Sequence, residues 1–365
     1  MAAFPQQGGG APMQPGTGFG APAPGAGAAA PAPNADLSVA APMLRIDTQH
    51  QDMIHDAQLD YYAKKLATCS SDRMIKIYEL HGDPPQQTHV ADLAGHDGPV
   101  WEVAWAHPKF GVLLASCGYD RKVIVHREAQ PGVWQQIKTY AEHESSVNSV
   151  SWGPHEYGLC LACASSDGRV TVLRHNDDDT WSAQQFQDST LGVNSVSWAP
   201  YNSMGNFTEG YPTGNVGADG RQELAGAGQL QRLVTGSCDN VVRVWRLDPG
   251  ARDWHLEHTL KQHSDWVRDV AWAPFMGVPC NTLASCGEDG AVHIWRQESA
   301  GGPWTASLLK EFGHTVWRVS WSVTGSVLAV SSGEHSVTLW KESLDRSWVQ
   351  ISSIEDPGAE AAPGQ

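Results

Sequence analysis

Six units of similar sequence follow one another along this chain, and this repetition constrains the fold more than any other feature. Each unit carries an acidic residue in a small turn, and an aromatic or aliphatic residue closes the unit six positions later. Successive closing residues are 48, 47, 72, 50 and 45 positions apart. They are Tyr78, His126, Leu173, Trp245, Trp295 and Trp340. Such a repeat predicts one domain built from repeated supersecondary units.

Two tryptophan positions recur in phase with the closing residues. The first ends an alternating run such as Val-Asn-Ser-Val-Ser-Trp, which is the periodicity of a β-strand. It is occupied by Trp105, Trp152, Trp198, Trp272 and Trp321. The second lies eight or nine residues beyond the closing residue, at Trp134, Trp181, Trp254, Trp304 and Trp348. Clusters of Gly, Asp and Asn between the runs are typical of turns. Four short strands in each unit predict an all-β fold, a six-bladed WD-repeat β-propeller.

Three segments fall outside this repeat. Residues 1–42 are predicted to form a disordered tail, because the first 40 contain 12 Ala, 8 Gly and 7 Pro and have little to bury. The propeller is assigned to residues 43–355, and residues 356–365 to a disordered C-terminus. The long fourth interval contains an insertion at 201–229, rich in Gly and Asn, between the first and second strands of blade four. We expect it to be a mobile loop.

Blade five contains three residues that resemble the triad of a serine hydrolase, namely His263, Ser285 and Asp289. The same residue types recur at the same spacing in other blades, whereas a catalytic site is usually built once per chain. We therefore interpret them as a structural network in which Asp accepts from His, His meets the hydroxyl, and the hydroxyl meets the Trp N–H. The predicted network residues are His50, Asp72, His96, Ser116, Asp120, His143, Asp167, Thr235, Asp239, Trp245, His263, Ser285, Asp289, Trp295 and Trp340.

Three blades depart from this pattern. Cys163 replaces the hydroxyl in blade three, Ser189 stands at the His position in blade four, and Phe312 stands there in blade six. Cys160 and Cys163 form a C-x-x-C pair, but an offset of three in a strand turns their side chains to opposite faces. We predict no metal, no cofactor and no enzyme activity.

Charge and cysteine content narrow the setting in which the protein works. A net charge of −16 repels phosphate backbones, so direct nucleic-acid binding is not expected. Seven scattered cysteines, an odd number, fit a reducing compartment. The sequence has no apolar stretch of about 18 residues and no signal or transit pattern at its N-terminus. We expect any membrane association to depend on partners.

The closure of the ring can be argued from the two ends of the repeat. The last blade is predicted to be complete, because residues 348–354 match the outer strand of the other blades. Blade one is also whole, so a predicted strand at 43–47 has no place in the ring. Six complete blades suggest a ring open between blades one and six, where a partner inserts β-strands by strand addition. The alternative is a ring that narrows and shuts, and the pattern alone leaves both open.

Several strings of the sequence resemble one family closely. They include Ser146-Val-Asn-Ser-Val-Ser-Trp152, Gly98-Pro-Val-Trp-Glu-Val-Ala-Trp-Ala-His-Pro108 and Ser264-Asp-Trp-Val-Arg-Asp-Val-Ala-Trp-Ala-Pro274. They also include Asp52-Met-Ile-His-Asp-Ala-Gln-Leu-Asp-Tyr-Tyr62 and Val316-Trp-Arg-Val-Ser-Trp321. Over about residues 45–355 the chain is similar to the small WD-repeat subunits of the COPII outer coat. These strings are far more specific than a general WD signature.

The resemblance implies a non-enzymatic structural subunit whose open propeller is completed by a blade from a partner. It implies two such partners, the large outer-coat subunit of COPII and a nucleoporin of the Y-shaped nuclear-pore scaffold, and in some organisms a nutrient-signalling complex. It implies ER exit sites, COPII vesicles in ER-to-Golgi transport, the nuclear envelope and the cytosol as locations. The alternatives are a related nuclear-pore WD propeller and a WD substrate-receptor scaffold.

The resemblance also implies where the inserted blade would bind. In this sequence the implied contacts on blade one are Met53, Ile54, Ile75 and Ile77. On blade six they are Val327, Ala329, Val337 and Leu339.

Overall fold

A computed structural model describes residues 46–82, 86–208, 211–216, 222–225, 228–247, 253–275, 277, 280–333 and 336–355. One compact unit begins at Ile46. The predicted tail at 1–42 and the predicted C-terminal segment at 356–365 lie outside the described residues. Between 207 and 229 only backbone positions are described.

The structure is a six-bladed β-propeller, which confirms the prediction from the repeat. Each blade is an antiparallel sheet of four strands. Blade one contains β1 (Ile54–Leu59), β2 (Lys65–Ser70), β3 (Ile75–His81) and β4 (Gln86–Leu93). Blade two contains β5 (Val100–Trp105), β6 (Leu113–Gly118), β7 (Val123–Gln130) and β8 (Val133–Tyr140). Blade three contains β9 (Val147–Trp152), β10 (Cys160–Ser165), β11 (Arg169–His175) and β12 (Trp181–Gln187).

The remaining blades repeat this arrangement. Blade four contains β13 (Val193–Trp198), β18 (Gln231–Ser237), β19 (Val241–Leu247) and β20 (Trp254–Lys261). Blade five contains β21 (Val267–Trp272), β22 (Asn281–Gly287), β23 (Ala291–Gln297) and β24 (Trp304–Glu311). Blade six contains β25 (Val316–Trp321), β26 (Val327–Ser332), β27 (Ser336–Glu342) and β28 (Trp348–Glu355). Two 3₁₀ turns, Pro108–Phe110 and His155–Tyr157, lie between first and second strands.

The insertion lies between the first and second strands of blade four. Its backbone forms two short antiparallel ladders. The first pairs β14 (Phe207–Thr208) with β17 (Gly228–Gln229), and the second pairs β15 (Tyr211–Val216) with β16 (Gln222–Ala225). The segment therefore adds a pair of small hairpin-like elements to one blade without interrupting the four-stranded sheet.

A β-bulge occurs at the same place in the first strand of every blade. The register shifts where one extra residue faces the second strand. The extra residues are His55, Trp101, Asn148, Asn194, Arg268 and Trp317. A bulge re-aims the side chains that follow it. The first strands of consecutive blades are also neighbours, so the residues after the bulges come together around the propeller axis.

The two faces of each blade make different contacts. In blade one, Ala67, Cys69, Ile75 and Ile77 form what we call the forward face, and they pack on blade two. The residues of blade two that they meet are Val100, Val103 and Leu114. We call the surface formed by these residues the backward face. A forward face and the next backward face together make one apolar core.

This pairing of faces produces five cores, each between two consecutive blades from one to six. Among the described residues no such core joins blade six to blade one. The backward-face leucines of blades two to six are fully buried, at Leu114, Leu161, Leu233, Leu283 and Leu328. The equivalent Leu66 of blade one is 8% exposed.

Leu66 and Leu283 allow a matched test of this asymmetry. Leu283→Ala is expected to lower the free energy of unfolding by about 2–5 kcal/mol, because it empties a core between two blades. Leu66→Ala is expected to cost less than half as much, because its face meets no neighbouring blade. Urea unfolding of both variants measures the difference. Equal losses would mean that Leu66 is packed as completely as Leu283.

Candidate functional site

The predicted network is complete in blade five. His263 Nδ1 lies 3.0 Å from Asp289 Oδ2, and His263 Nε2 lies 2.8 Å from Ser285 Oγ. The indole N–H of Trp295 donates to the same Ser285 Oγ over 2.9 Å. Asp289 also accepts from the backbone N–H of Ser264 at 2.9 Å. The network thus ties the loop between blades to the turn between β22 and β23.

Blades one and two contain the His part of the network without the tryptophan. His50 contacts Asp72 at 2.7 Å and Thr68 at 2.9 Å. His96 contacts Asp120 at 3.0 Å and Ser116 at 2.9 Å. The closing Tyr78 is buried instead against the chain that leads into blade one, where its hydroxyl donates to the Thr48 carbonyl. Burial raises the pKa of Tyr78 to about 12.

Blade three keeps its histidine although its hydroxyl position is a cysteine. His143 Nδ1 lies 2.8 Å from Asp167, and its Nε2 lies 3.1 Å from Thr171 Oγ1 and 3.6 Å from Cys163 Sγ. Thr171 lies on the adjacent strand and supplies the hydroxyl that Cys163 does not. Burial raises the pKa of the Cys163 thiol to about 12, so it is not an activated nucleophile.

Blade four replaces the histidine by an aspartate that the sequence reasoning missed. Asp188 accepts from the indole N–H of Trp245 at 2.6 Å and from the hydroxyl of Ser237 at 2.6 Å, and its Oδ1 also bonds the Thr235 hydroxyl. Arg243 lies 3.3 Å from Asp188 and also pairs with Asp239, the predicted turn acid. Burial raises the pKa of Asp188, and Arg243 opposes that shift. The signal in the sequence was a charged pair absent from the other blades, Asp188 one residue before the expected position and Arg243 on β19.

In blade six, the described residues form a smaller part of the network than in the other blades. The indole N–H of Trp340 donates to Thr338 Oγ1 at 2.9 Å, and Phe312 contacts the edge of the Trp340 ring at a centroid distance of 6.3 Å. The expected turn acid, Glu334, lies outside the described residues. An aromatic contact therefore stands where the other blades use a histidine or an aspartate.

The network does not have the geometry of an active site. Ser285 is fully buried, and its hydroxyl oxygen is already shared between His263 and Trp295. A nucleophilic serine needs an exposed oxygen and a nearby oxyanion site. Across the described residues, no group of three or more His, Cys, Asp and Glu side chains is arranged to hold a metal ion. All seven cysteines are free thiols.

Among the described residues, no apolar core joins the backward face of blade one to another blade. Ile54 is 43% exposed, and Ala57 and Leu59 are exposed as well. The residues equivalent to Ile54 in the other blades are completely buried valines, at Val100, Val147, Val193, Val267 and Val316. We call Ile54, Ala57, Leu59 and Leu66 the blade-one free face. Met53, next to Ile54, is 67% exposed.

The forward face of blade six likewise belongs to no apolar core in the part of the chain that the structure describes. Val327, Ala329, Val337 and Leu339 are each partly exposed, and we call them the blade-six free face. Their neighbours Leu328, Val330 and Trp340 point to the opposite side and are buried against blade five. On the outer strand, Ile354 is exposed, whereas the equivalent Leu93 of blade one is buried.

The prediction that Ile75 and Ile77 face a partner is wrong. Both are almost completely buried in the core between blades one and two. Ile77 is the counterpart of Leu339, but the exposed apolar residues lie on the backward face of blade one and on the forward face of blade six. The free residues on the two sides are therefore not equivalent by sequence position.

The predicted strand at 43–47 is corrected in part. Residues 43–45 lie outside the described residues, and Ile46 and Asp47 belong to no strand. Asp47 instead lies against blade one, where the Gln87 side-chain amide donates to the Asp47 carbonyl at 2.9 Å.

One hydrogen bond that links consecutive blades has no counterpart on blade one. The indole N–H groups of Trp105, Trp152 and Trp198 each donate to a carbonyl on the first strand of the preceding blade at 2.9 Å. Trp321 donates in the same way at 3.2 Å. Blade one has Leu59 at this position, and an aliphatic side chain cannot donate.

The comparisons with known proteins agree with this architecture. The family model described as WD domain, G-beta repeat, matches residues 87–127, 181–246, 254–296 and 306–341. A second model, for the WD40 domain of anaphase-promoting complex subunit 4, matches residues 108–200. With six four-stranded blades, these matches define the class as a WD-repeat β-propeller.

Curated relatives narrow the class to one family. "Protein SEC13 homolog" of Dictyostelium discoideum is 51% identical over 85% of this chain and 98% of its own length. "Protein SEC13 homolog" of Homo sapiens is 48% identical over 85% and 92%. "Protein transport protein sec13" of Emericella nidulans is 45% identical over 87% and 100%. The chain belongs to the SEC13 family of WD-repeat proteins, and the predicted resemblance is confirmed.

The name of one relative bears on a further prediction. The Emericella nidulans protein is named a protein transport protein, which agrees with the prediction that this chain is not an enzyme. In the part of the chain that the structure describes, no helix is long and apolar enough to cross a membrane.

Asp289→Ala tests the structural role of the network. The variant is expected to lose about 1–3 kcal/mol of stability near neutral pH, because His263 and the Ser264 N–H lose their acceptor. Burial alone would raise the pKa of Asp289, but hydrogen bonds from His263 and the backbone lower it below the ordinary 3.8. The stabilisation is therefore complete above pH 3.8 and is lost as the pH falls through the folded-state pKa.

Thermal unfolding of the wild type and the variant at several pH values measures this difference. Asp97→Ala removes an exposed carboxylate from the equivalent loop of blade two and is expected to change stability by at most about 0.5 kcal/mol. A cost of Asp289→Ala that stayed constant down to pH 3 would contradict the assignment.

Proposed function

We propose that this chain is a non-enzymatic structural subunit of the COPII outer coat and of the nuclear-pore scaffold, and that each assembly inserts a β-blade between blades six and one. The observation that carries the proposal is the pair of apolar free faces on these two blades. Membership of the SEC13 family supports the coarser part, a WD-repeat scaffold in protein transport.

The burial pattern supports an open ring over a shut one. A ring that closed on itself would bury Ile54 as the other five blades bury their valines, yet Ile54 is 43% exposed. The blade-six free face is partly exposed in the same way. Exposed apolar surface of this kind is typical of a binding site.

The shape of the free surfaces indicates what kind of partner they suit. Both are faces of four-stranded sheets, and they lie on opposite sides of the unfilled position. A single added strand could pair with an edge but could not cover both faces. The occupant is therefore a small sheet with an apolar side toward each blade, and its side chains are expected to follow strand alternation.

This proposal assigns two blade-donating partners to one site. The large outer-coat subunit would bind it at ER exit sites and on COPII vesicles in ER-to-Golgi transport, and a scaffold nucleoporin would bind it at the nuclear envelope. Because both would use the same faces, one chain would serve only one of them at a time. A nutrient-signalling complex is a further partner of the same kind in some organisms, and contact with membranes is indirect.

Ile54→Glu tests the site with Leu256→Glu as its matched control. Ile54 and Leu256 are 43% and 48% exposed, but Leu256 lies on the outer strand of blade four. Tagged chains expressed at native level are purified, and bound proteins are identified by mass spectrometry. The wild type and Leu256→Glu are expected to retain the large coat subunit and scaffold nucleoporins.

Ile54→Glu is expected to lose both partners by at least tenfold, because a buried carboxylate costs several kcal/mol at an apolar interface. Recovery of neither partner with the wild-type chain would refute the proposed function. Undiminished capture by a folded Ile54→Glu chain would refute the assigned site.

A further inference from the structure

Six residues occupy one equivalent position around the propeller axis. Each follows the β-bulge in the first strand of its blade, and each stands one residue before the backward-face position represented by Val103. They are Asp56, Glu102, Ser149, Ser195, Asp269 and Arg318. We call them the axial set. Three are acidic, two are serines, and one is an arginine.

Five members of the axial set link their blade to the next by the same hydrogen bond. Each side-chain oxygen accepts from a backbone N–H on the first strand of the following blade. Asp56 accepts from Val103 at 3.2 Å, Glu102 from Val150 at 2.7 Å, and Ser149 from Val196 at 3.3 Å. Ser195 accepts from Val270 at 3.2 Å and Asp269 from Val319 at 3.0 Å. The chain of bonds runs from blade one to blade six.

Arg318 cannot continue this chain to blade one. A guanidinium has five N–H donors and no acceptor, so it cannot receive the N–H of Ala57, the residue equivalent to Val103. The hydrogen-bond chain therefore stops between blades six and one. This is the same position at which the tryptophan bond and the apolar core are missing.

The guanidinium instead bonds a blade that is not its neighbour. Arg318 on blade six donates to Glu102 Oε1 on blade two at 2.6 Å. The other oxygen of Glu102 holds the Val150 N–H, so this carboxylate is fixed from the blade-three side. The Glu102 side chain is mostly buried, whereas Arg318 is 40% exposed at the axis. The contact therefore joins blades six and two without involving the free face of blade one.

The charges around the axis favour this placement of the only cation in the axial set. Burial raises the pKa of Asp56 to about 6, and Arg318 opposes the shift. Burial also raises the pKa of Asp269, where Arg318 again lowers it. The carboxylate of Glu102 is the main cause that raises the pKa of Arg318. One guanidinium thus offsets the repulsion among three carboxylates from blades one, two and five.

We infer that Arg318 is a positioning residue that ties blade six to blade two across the axis and so holds the two free faces apart for an inserted blade. The inference rests on the open ring of the proposed function. Arg318 replaces an acceptor that would allow the ring to close, and its ion pair supplies a link that does not depend on blade one. The space between blades six and one therefore stays open before a partner binds.

Hydrogen exchange of the isolated full-length chain, followed by mass spectrometry, tests the inference. Arg318→Met keeps the aliphatic part of the side chain and removes the charge and the donors. Amide exchange is expected to rise about tenfold in β5 and in β25–β27, since these strands lose their link across the axis. Exchange in β10, β11, β18 and β19 of blades three and four is expected to stay at the wild-type rate.

Glu102→Gln is the milder second variant. It keeps an acceptor for the Val150 N–H and removes only the charge that Arg318 contacts, so it is expected to fold even where Arg318→Met does not. A smaller rise in exchange in the same strands is expected. Arg346→Met is the matched control, since it breaks an exposed ion pair of 2.9 Å between Arg346 of blade six and Glu298 of blade five. It is expected to leave exchange unchanged.

Two results would overturn the inference. One is wild-type exchange in β5 and β25–β27 of Glu102→Gln, and the other is an equal rise over all six blades. The experiment needs no partner, so its result is separate from that of the partner purification. If exchange rises locally but no partner is captured, the role of Arg318 is supported and the proposed function is refuted. If partners are captured but exchange does not rise locally, the proposed function is supported and the role of Arg318 is refuted.

Discussion

The packing of a forward face on the next backward face is the interaction on which the rest of this structure depends. It buries the apolar faces between consecutive blades, and it leaves the backward face of blade one and the forward face of blade six partly exposed. Because the two faces of a blade differ, five such cores leave two unlike surfaces, one on blade one and one on blade six. The candidate binding site is a direct consequence of that arrangement, and it needs no special loop or pocket.

Polar groups reinforce this packing in two layers. The His, Asp and hydroxyl networks hold the turns within each blade, and the axial set joins the first strands of successive blades. Blade four shows that the first layer tolerates exchange, because Asp188 replaces the histidine once Arg243 compensates its charge. The axial set is less tolerant, since an arginine at one position ends the chain of acceptors. The chain of axial acceptors runs from blade one to blade six and stops there.

Much of the candidate site could be read from the sequence, but its orientation could not. The residues of blade six predicted as partner contacts are partly exposed, and so are Met53 and Ile54 on blade one. Their contact with a partner stays a prediction. Ile75 and Ile77 were placed on the wrong face of blade one. Strand alternation shows which residues share a face of the sheet, but it does not show which neighbouring blade that face packs on. Leu59 in place of the recurring tryptophan, and Arg318 in place of an acceptor, were the signals that could have located the missing interface.

The sequence by itself determined the number of blades, the four strands in each, and the structural meaning of the repeated His, Ser and Asp residues. These follow from periodicity, which is local and recurs at every unit. Only the tertiary structure decided which face of each blade is covered, that Asp188 stands in for a histidine, and that Arg318 reaches Glu102. These depend on contacts between blades far apart in the chain, and no local pattern specifies the neighbour that a strand will meet.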